Sequence, residues 1–408
     1  MFPKPSVCLV LRLRLLCVMG SGKQLPGIKK SIQMDISRVL TTDHMKIFYI
    51  TYKNDYSTDW EKTGRYSNVY DTTYTPLVKI AGERGHTIRP FWVDEIILEK
   101  GEAGMNAALR DAIIEEKPDV CFFDTGMGES LNKEVLEEIK KKSSAVTVYI
   151  CADDSWNFDH ESKHFAPYFS WIATSYSRAI KRYRALGCQQ VILWAGPGGV
   201  SPDFFKNRNF VKDIDVSFLG TWGPPRGKTI QALQEAGINV LARGNGWPGG
   251  GVSQEEWNSI ISRSKISLCL NEAPFYIGWR SIARLFFRRA WLGESGSSVK
   301  IDVHNFLDNV RTWWQKRIPN IKARHFEIPA LRTMQITQHA DNLEEYFVPG
   351  KEIVFYTDTK DLIGKIRYYL AHDEECEAIA KAGYERVLRD HTREKRLYYL
   401  FSAIGQPL

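Results

Sequence analysis

Beyond residue 44 the chain alternates short, nearly continuous apolar runs with longer segments whose apolar residues recur every three to four positions. The runs Lys46–Thr51, His86–Trp92, Asp119–Phe123, Val146–Ile150, Trp171–Thr174 and Val191–Trp194 read as strands. Between them Val69–Arg84, Met105–Lys117, Leu131–Lys142 and Tyr176–Leu186 read as helices. Gly85, Pro118 and Gly187 supply stop signals after three of them. Strands that are apolar throughout, alternating with helices, predict a parallel sheet covered on both faces.

Residues 195–209, AGPGGVSPDFFKNRN, interrupt the rhythm with three glycines and two prolines and predict a hinge between two domains. Alternation then resumes. Strands are expected at Asp215–Leu219, Asn239–Ala242, Ile266–Leu270, Met334–Thr337 and Glu352–Tyr356. Helices are expected at Gly227–Ala236, Gln254–Arg263, Lys360–Leu370, Asp373–Asp390 and Arg393–Ile404. Ser253 and Glu256 have the spacing of a capping box. The fold class is therefore α/β, with two doubly wound parallel-sheet halves, and 408 residues suffice for two such domains.

The first 44 residues stand apart. Val7–Met19 is apolar but holds Arg12 and Arg14, and at thirteen residues it is too short to span a bilayer. Met45 opens directly onto the first strand. Residues 1–44 are read as a disordered extension or a mis-called start, the alternative being a membrane-surface arm.

Charge changes the picture only once it is placed. The net charge of +7 divides into +5 on residues 1–44, +7 on 275–325 and a remainder that is acidic. A nucleic-acid partner is thus not expected, although a pI near 8.9 alone would invite one. Seven cysteines without a CxxC pair point to a reducing, cytoplasmic compartment and to neither a disulfide framework nor a zinc site.

Ligands of doubly wound sheets bind beyond the carboxyl ends of the strands. The first strand runs into YITYKNDYSTDW, without the GxGxxG of a dinucleotide site, and no GxxxxGK[ST], HExxH or GxSxG occurs. In the second half Gly220 opens the loop GTWGPPRGK onto a helix start. With Arg226 and Lys228 it can form an anion site, or be an ordinary turn with solvated cations. The next strand runs into the loop GNGWPGGG, which carries Gly246 and Trp247. Lys322, Arg324 and Glu327 offer two cations for a diphosphate and a carboxylate for ribose hydroxyls. The other reading is that Glu327 caps a helix and pairs with Arg324. In the first half Asp153 and Asp154 stand just past a strand, placed either for acid–base or metal chemistry or as an N-cap and a solvated side chain. No DxD occurs there.

Taken in order, VSFLGTWGPPR, GINVLARGNGW, SKISLCLN, KARHFEIPA, EEYFVPGKEIVFYTDTKDLIGKIRYYL and AIAKAGYERVLRDHTREKR, with ADDSWNF, APYFSWIATSY and GVSPDFF before them, resemble the CgeB-type (spore-maturation-protein) glycosyltransferases with a Glyco-trans-1-like C-terminal half. The resemblance covers roughly residues 45–403. It implies a GT-B fold, with two Rossmann-like domains facing a central cleft. The acceptor-side domain would be 45–200 and the nucleotide-sugar domain 210–390, with 391–408 a helix that can cross back. It implies a sugar moved from a nucleotide diphosphate sugar to an unidentified acceptor, without metal or other cofactor. Glu327 then matches the ribose carboxylate and Arg226 and Arg324 lie near the diphosphate, while Gly220, Lys228, Gly246, Trp247 and Lys322 complete the donor set. Asp153 and Asp154 are the candidates for catalysis. The chain departs from the related family 4 pattern at Pro319, where a second glutamate is usual, and at Leu331 and Arg332, where small residues or glycine are usual. A non-catalytic spore or envelope protein that keeps the fold is the alternative.

Residues 271–320 form a basic, aromatic insert. Arg280, Arg284 and Arg288 are spaced as one helical stripe. They are expected either to meet an anionic acceptor or membrane surface, or to be solvated on a packed helix.

Overall fold

The computed structural model describes residues 44–54, 67, 69–124, 130–205, 210–271, 279–291 and 297–408. The reading of residues 1–44 falls, His44 excepted, outside them. Two parallel-sheet α/β domains follow one another along the chain.

The first domain contains β1 (Lys46–Thr51), α1 (Thr75–Glu83), β2 (Thr87–Trp92), α2 (Val93–Glu116), β3 (Val120–Asp124), α3 (Lys133–Lys142), β4 (Val146–Cys151), β5 (Trp171–Thr174), α4 (Ser177–Ala185) and β6 (Val191–Leu193). The strands pair in parallel in the order β2-β1-β3-β4-β5-β6. Alternate residues feed two cores. Phe48, Ile50, Cys121, Phe123, Tyr149 and Cys151 pack on one face of the sheet. Ile47, Tyr49, Val120, Phe122, Val148 and Ile150 pack on the other. That two-faced burial is why the strands read as unbroken apolar runs.

The helix expected from Met105 begins at Val93 and is broken at Gly101, where φ is +70°. Its first turn is polar because it has structural work. The buried Asp94 carboxylate accepts the backbone N–H groups of Lys53 (2.8 Å) and Asn54 (3.0 Å).

The second domain contains β7 (Ile214–Leu219), α5 (Pro224–Glu235), β8 (Val240–Arg243), α6 (Gln254–Arg263) and β9 (Ser264–Cys269). The insert follows as α7 (Trp279–Phe286), β10 (Phe287–Trp291), β11 (Ser297–Ile301) and α8 (Phe306–Gln315). Then come α9 (Arg324–Ala330), β12 (Met334–Thr337), β13 (Val354–Phe355), α10 (Thr359–Ala371), α11 (Asp373–Asp390) and α12 (Arg393–Ala403). The parallel sheet runs β13-β12-β9-β7-β8 around Val216, Phe218, Ile266, Leu268, Met334 and Ile336. The capping box forms, Ser253 Oγ accepting from Glu256 N and the Glu256 carboxylate accepting from Ser253 N.

The insert corrects one expectation. Arg280 and Arg284 lie on α7, but the helix stops at Phe286 and Arg288 belongs to β10, opposite Lys300 of β11. The three arginines therefore form no helical stripe. The run Phe286-Phe287, followed by Trp291, has β-forming residues that an antiparallel hairpin takes up better than a helix does. Helix α8 docks on the first domain, where Lys163 Nζ reaches Asp308 at 2.5 Å and the buried Asp159 is held by Arg182.

Between the two sheets the chain passes through a short turn at Gly196–Gly198. Other contacts join the domains. Asp341 of the second domain accepts from Ser177 N (2.6 Å) and Ser177 Oγ (3.0 Å), so a carboxylate caps the start of α4 from across the junction. Asn320 Nδ2 donates to Ala152 O and Ser175 Oγ, both at 2.8 Å. Helix α12 puts Leu397, Leu400 and Phe401 into the first domain's core, against Phe122 and Leu77.

Candidate functional site

The loops at the carboxyl ends of β7 and β8 are laced together. Gly220 N donates to Arg243 O (2.9 Å) and Trp222 N to Asn245 O (2.7 Å). The indole Nε1 of Trp247 donates to Gly220 O at 2.9 Å, and its ring meets Phe218 edge-on. Gly244, at φ +132°, lies so close to the Gly220 carbonyl that any side chain there would collide with backbone. The glycines of this region therefore permit the two loops to touch.

Arg324 reaches this loop from α9. Its guanidinium packs over Gly220, where an added Cβ would stand 2.8 Å from Nη1, and it lies over the Trp257 ring. Its buried Nε has no hydrogen-bond partner. Arg226, in the first turn of α5, donates from Nη1 to Thr221 O (2.8 Å). Glu327 stands one turn along α9 from Arg324. Burial raises its pKa, opposed by the charges of Arg324 and Arg393. The thiol of Cys269, at the end of β9, is pushed up by burial and feels Arg324, Arg226 and Glu327 together. Arg226 Nε donates to Leu270 O (3.3 Å) just past that strand, so the charged groups gather around its end.

The helix carrying two of them is pinned by a neutral histidine. Burial drives the pKa of His325 down to about 3. Its Nδ1 accepts from Lys322 N (2.9 Å), leaving Nε2–H to donate to Thr337 Oγ1 (3.1 Å). The Thr337 hydroxyl contacts Cys269 O at 3.1 Å. Beyond the helix Arg332 has φ +54°, the left-handed position that glycine fills with least strain, and its guanidinium meets Glu377 at 2.5 Å.

Gly220, Trp247, Arg226, Arg324 and Glu327 are brought together, with Gly246 in the adjoining loop. Lys228 is exposed further along α5. Lys322 is exposed before α9, joined to the site through its backbone.

On the first domain, Asp154 and Asp153 part company. Asp154 is 1% exposed, accepting from Thr174 Oγ1 (2.6 Å) and Tyr183 OH (2.8 Å), and burial raises its pKa to about 6. Asp153 is half-buried at the N-cap of the turn Asp154–Asn157 but makes no side-chain cap bond. It adjoins Ala152, whose carbonyl accepts from Asn320 of the second domain.

Sequence reasoning missed the buried groups between these two sets. Tyr49 OH donates to Asp124 Oδ2 at 2.6 Å, where β3 ends. Arg393, at the start of α12, donates from Nη1 to Gly196 O at 2.5 Å. Burial lowers its pKa to about 10, opposed by the nearby carboxylates of Glu327 and Asp124. An Asp closing an otherwise apolar strand, FFDTG, was the available signal for Asp124. Arg393 carried none, because its partners are distant in sequence.

Among the described residues no group of three His, Cys, Asp or Glu side chains could hold a metal ion. Among them also, no helix is long and apolar enough to cross a membrane.

Residues 296–402 match the family described as glycosyl transferase-like. No curated protein matches the chain by sequence. Among solved structures it is similar to HepE from Anabaena in complex with UDP, at 10% identity and TM-score 0.53, over 88% of this chain and 100% of that one. It is similar to sucrose-phosphate synthase from Thermosynechococcus elongatus, at 11% identity and TM-score 0.57, over 89% and 99%. The DNA-modifying enzyme β-glucosyltransferase, solved with and without uridine diphosphoglucose, is similar at 11% identity and TM-score 0.51, over 88% and 100%. The chain has the GT-B fold of glycosyltransferases, with a glycosyl transferase-like region in its second half.

Proposed function

We propose that this protein moves a sugar, of the hexosyl class, from a nucleotide diphosphate sugar to an acceptor, and that it is of the CgeB type. The observation that carries the reading is the convergence of Arg324, Arg226 and Glu327 on the end of β9, with Arg324 Nε buried and unpartnered. A buried donor without a partner costs about 1–3 kcal/mol, which a bound anion would recover.

In this reading Arg324 and the start of α5 neutralise the donor diphosphate without requiring a metal, and Glu327 accepts from the ribose hydroxyls. The acceptor oxygen bonds to the anomeric carbon while the bond from that carbon to the β-phosphate oxygen breaks. The electron pair leaves on the nucleoside diphosphate, where the arginines stabilise it. Asp153, the more open of the two aspartates, takes the acceptor's proton, and Asp154 is assigned a supporting role under the strand ends. Closure about residues 195–209 would exclude water that otherwise hydrolyses the donor. The cytoplasm, at a membrane surface where envelope glycans are made, suits a chain with unpaired cysteines and an exposed apolar insert.

Two of the similar structures were solved with UDP or UDP-glucose, so uridine nucleotides are the first probes. Thermal shifts with UDP, GDP, dTDP and CMP test the reading, because a ligand of the native state raises its melting temperature by mass action. One nucleotide should stabilise the wild type, and Glu327→Ala should lose most of that shift. No shift with any of the four would favour a non-catalytic protein that keeps the fold.

A further inference from the structure

Helix α7 turns an apolar face outward. Trp279, Ile282 and Phe286 are spaced i, i+3, i+7 and share one face, yet they are 88%, 43% and 38% exposed. The opposite side of the helix carries Arg284, itself exposed, which lines the mouth of a cavity of about 40 Å³ with Leu285, His160, Asn309, Thr312, Trp313 and Lys316. A helix on a soluble surface normally buries such a face.

The cavity is cationic, with Leu285 and Trp313 as its apolar walls. Among the described residues, neither Arg284 nor Lys316 has a carboxylate within ion-pair distance. The nearby carboxylates are engaged elsewhere, Asp308 by Lys163 and Arg311, Asp159 by Arg182. Thr312 is 3% exposed and its Oγ1 is buried without a partner. Burial, and then the Arg284 charge, lower the Lys316 pKa. Two like charges have been brought together here, and no described carboxylate lies between them. A single water needs about 10–15 Å³ by the same measure, so the space suits a small group of several oxygens.

We propose that this cavity binds a phosphoryl group, with Arg284 and Lys316 as its counter-charges and Thr312 as a hydroxyl donor. The outward apolar face of α7 assigns the phosphoryl group to the head of a lipid, the apolar side chains entering the membrane interface while the cations meet the phosphate. His160 comes from the first domain and α8 docks there, so the bound group would lie on the acceptor side. That last role rests on the glycosyl-transfer reading, whereas the phosphoryl site itself does not.

The test is inorganic phosphate against chloride at matched ionic strength, read as a thermal shift on the full chain. Vesicles of phosphatidylcholine, with and without phosphatidic acid, are read by co-sedimentation. Phosphate should stabilise the wild type. Arg284→Gln with Lys316→Gln should weaken that response about tenfold, a loss of roughly 1.4 kcal/mol, while the UDP shift stays unchanged. Phosphatidic acid should recruit the wild type to vesicles and the double variant far less. An equal phosphate response in wild type and double variant, with the UDP shift intact, would overturn the site and leave the glycosyl-transfer reading standing. A phosphate response lost in the double variant, without vesicle recruitment of the wild type, would overturn the lipid assignment and make the source a soluble phosphate ester. Thr312→Val keeps the shape and both charges, and should weaken phosphate by a smaller factor.

Discussion

Gly220 and Arg324 are far apart in the second domain's sequence, and the glycine's missing side chain is the space the guanidinium occupies. A methyl group on Gly220 would stand 2.8 Å from Arg324 Nη1, the far end of a flexible side chain. Gly220→Ala should therefore displace Arg324 and leave the fold nearly as stable. We expect UDP affinity to fall about tenfold, the scale of one charge-assisted hydrogen bond, with little change in the urea midpoint. Calorimetric titration against the wild type checks it. Unaltered UDP affinity would remove Arg324 from the donor site.

Trp247→Phe keeps an aromatic ring beside Phe218 and removes the hydrogen bond to Gly220 O. The loss should be about 1 kcal/mol in urea denaturation, with UDP affinity reduced a few-fold because the loop under the guanidinium loosens. If stability falls but UDP affinity does not, the contact serves the fold alone.

Arg393→Met retains bulk but leaves Gly196 O without its donor and Glu327 and Asp124 without the nearby cation. The cost should be about 2–4 kcal/mol, read as an earlier urea midpoint. A midpoint equal to that of the wild type would mean that the cluster is relieved by water.

Asp154 gives a pH dependence with a definite sign. Its folded pKa, about 6, lies above the ordinary 3.8. The folded state thus holds its proton more tightly than the unfolded chain. Its favourable contribution is complete below about pH 4 and is lost as pH rises through 6, by on the order of 3 kcal/mol. Asp154→Asn should flatten that part of the stability curve. Denaturation of both proteins from pH 4 to 7 measures the difference, and parallel curves would show that the carboxyl is ionised throughout.

What was legible in the sequence follows from distance along the chain. The strand Lys46–Thr51 was readable because both sheet faces bury its residues, and the capping box because its partners lie three residues apart. Helix α9 gives no clear periodic signal, since Pro329 interrupts its pattern and its start is held by His325 donating to the distant Thr337. The grouping of Gly220, Arg324 and Glu327 came from a resemblance rather than from spacing. The helical stripe through Arg288 failed because i+4 spacing cannot register where β10 takes over from α7. The Arg393 cluster joins groups that only the closed fold brings together.

The passage of α12 back to the first domain also bears on how the molecule comes into being. Arg84 hydrogen-bonds to Leu408 O across 324 positions, and Phe401 closes the core beside Phe122. During synthesis the first domain is left with an open apolar flank until the second has been made. Its final assembly is one of the most non-local events available to this chain, which predicts slow closure and a need for shielding in the interval.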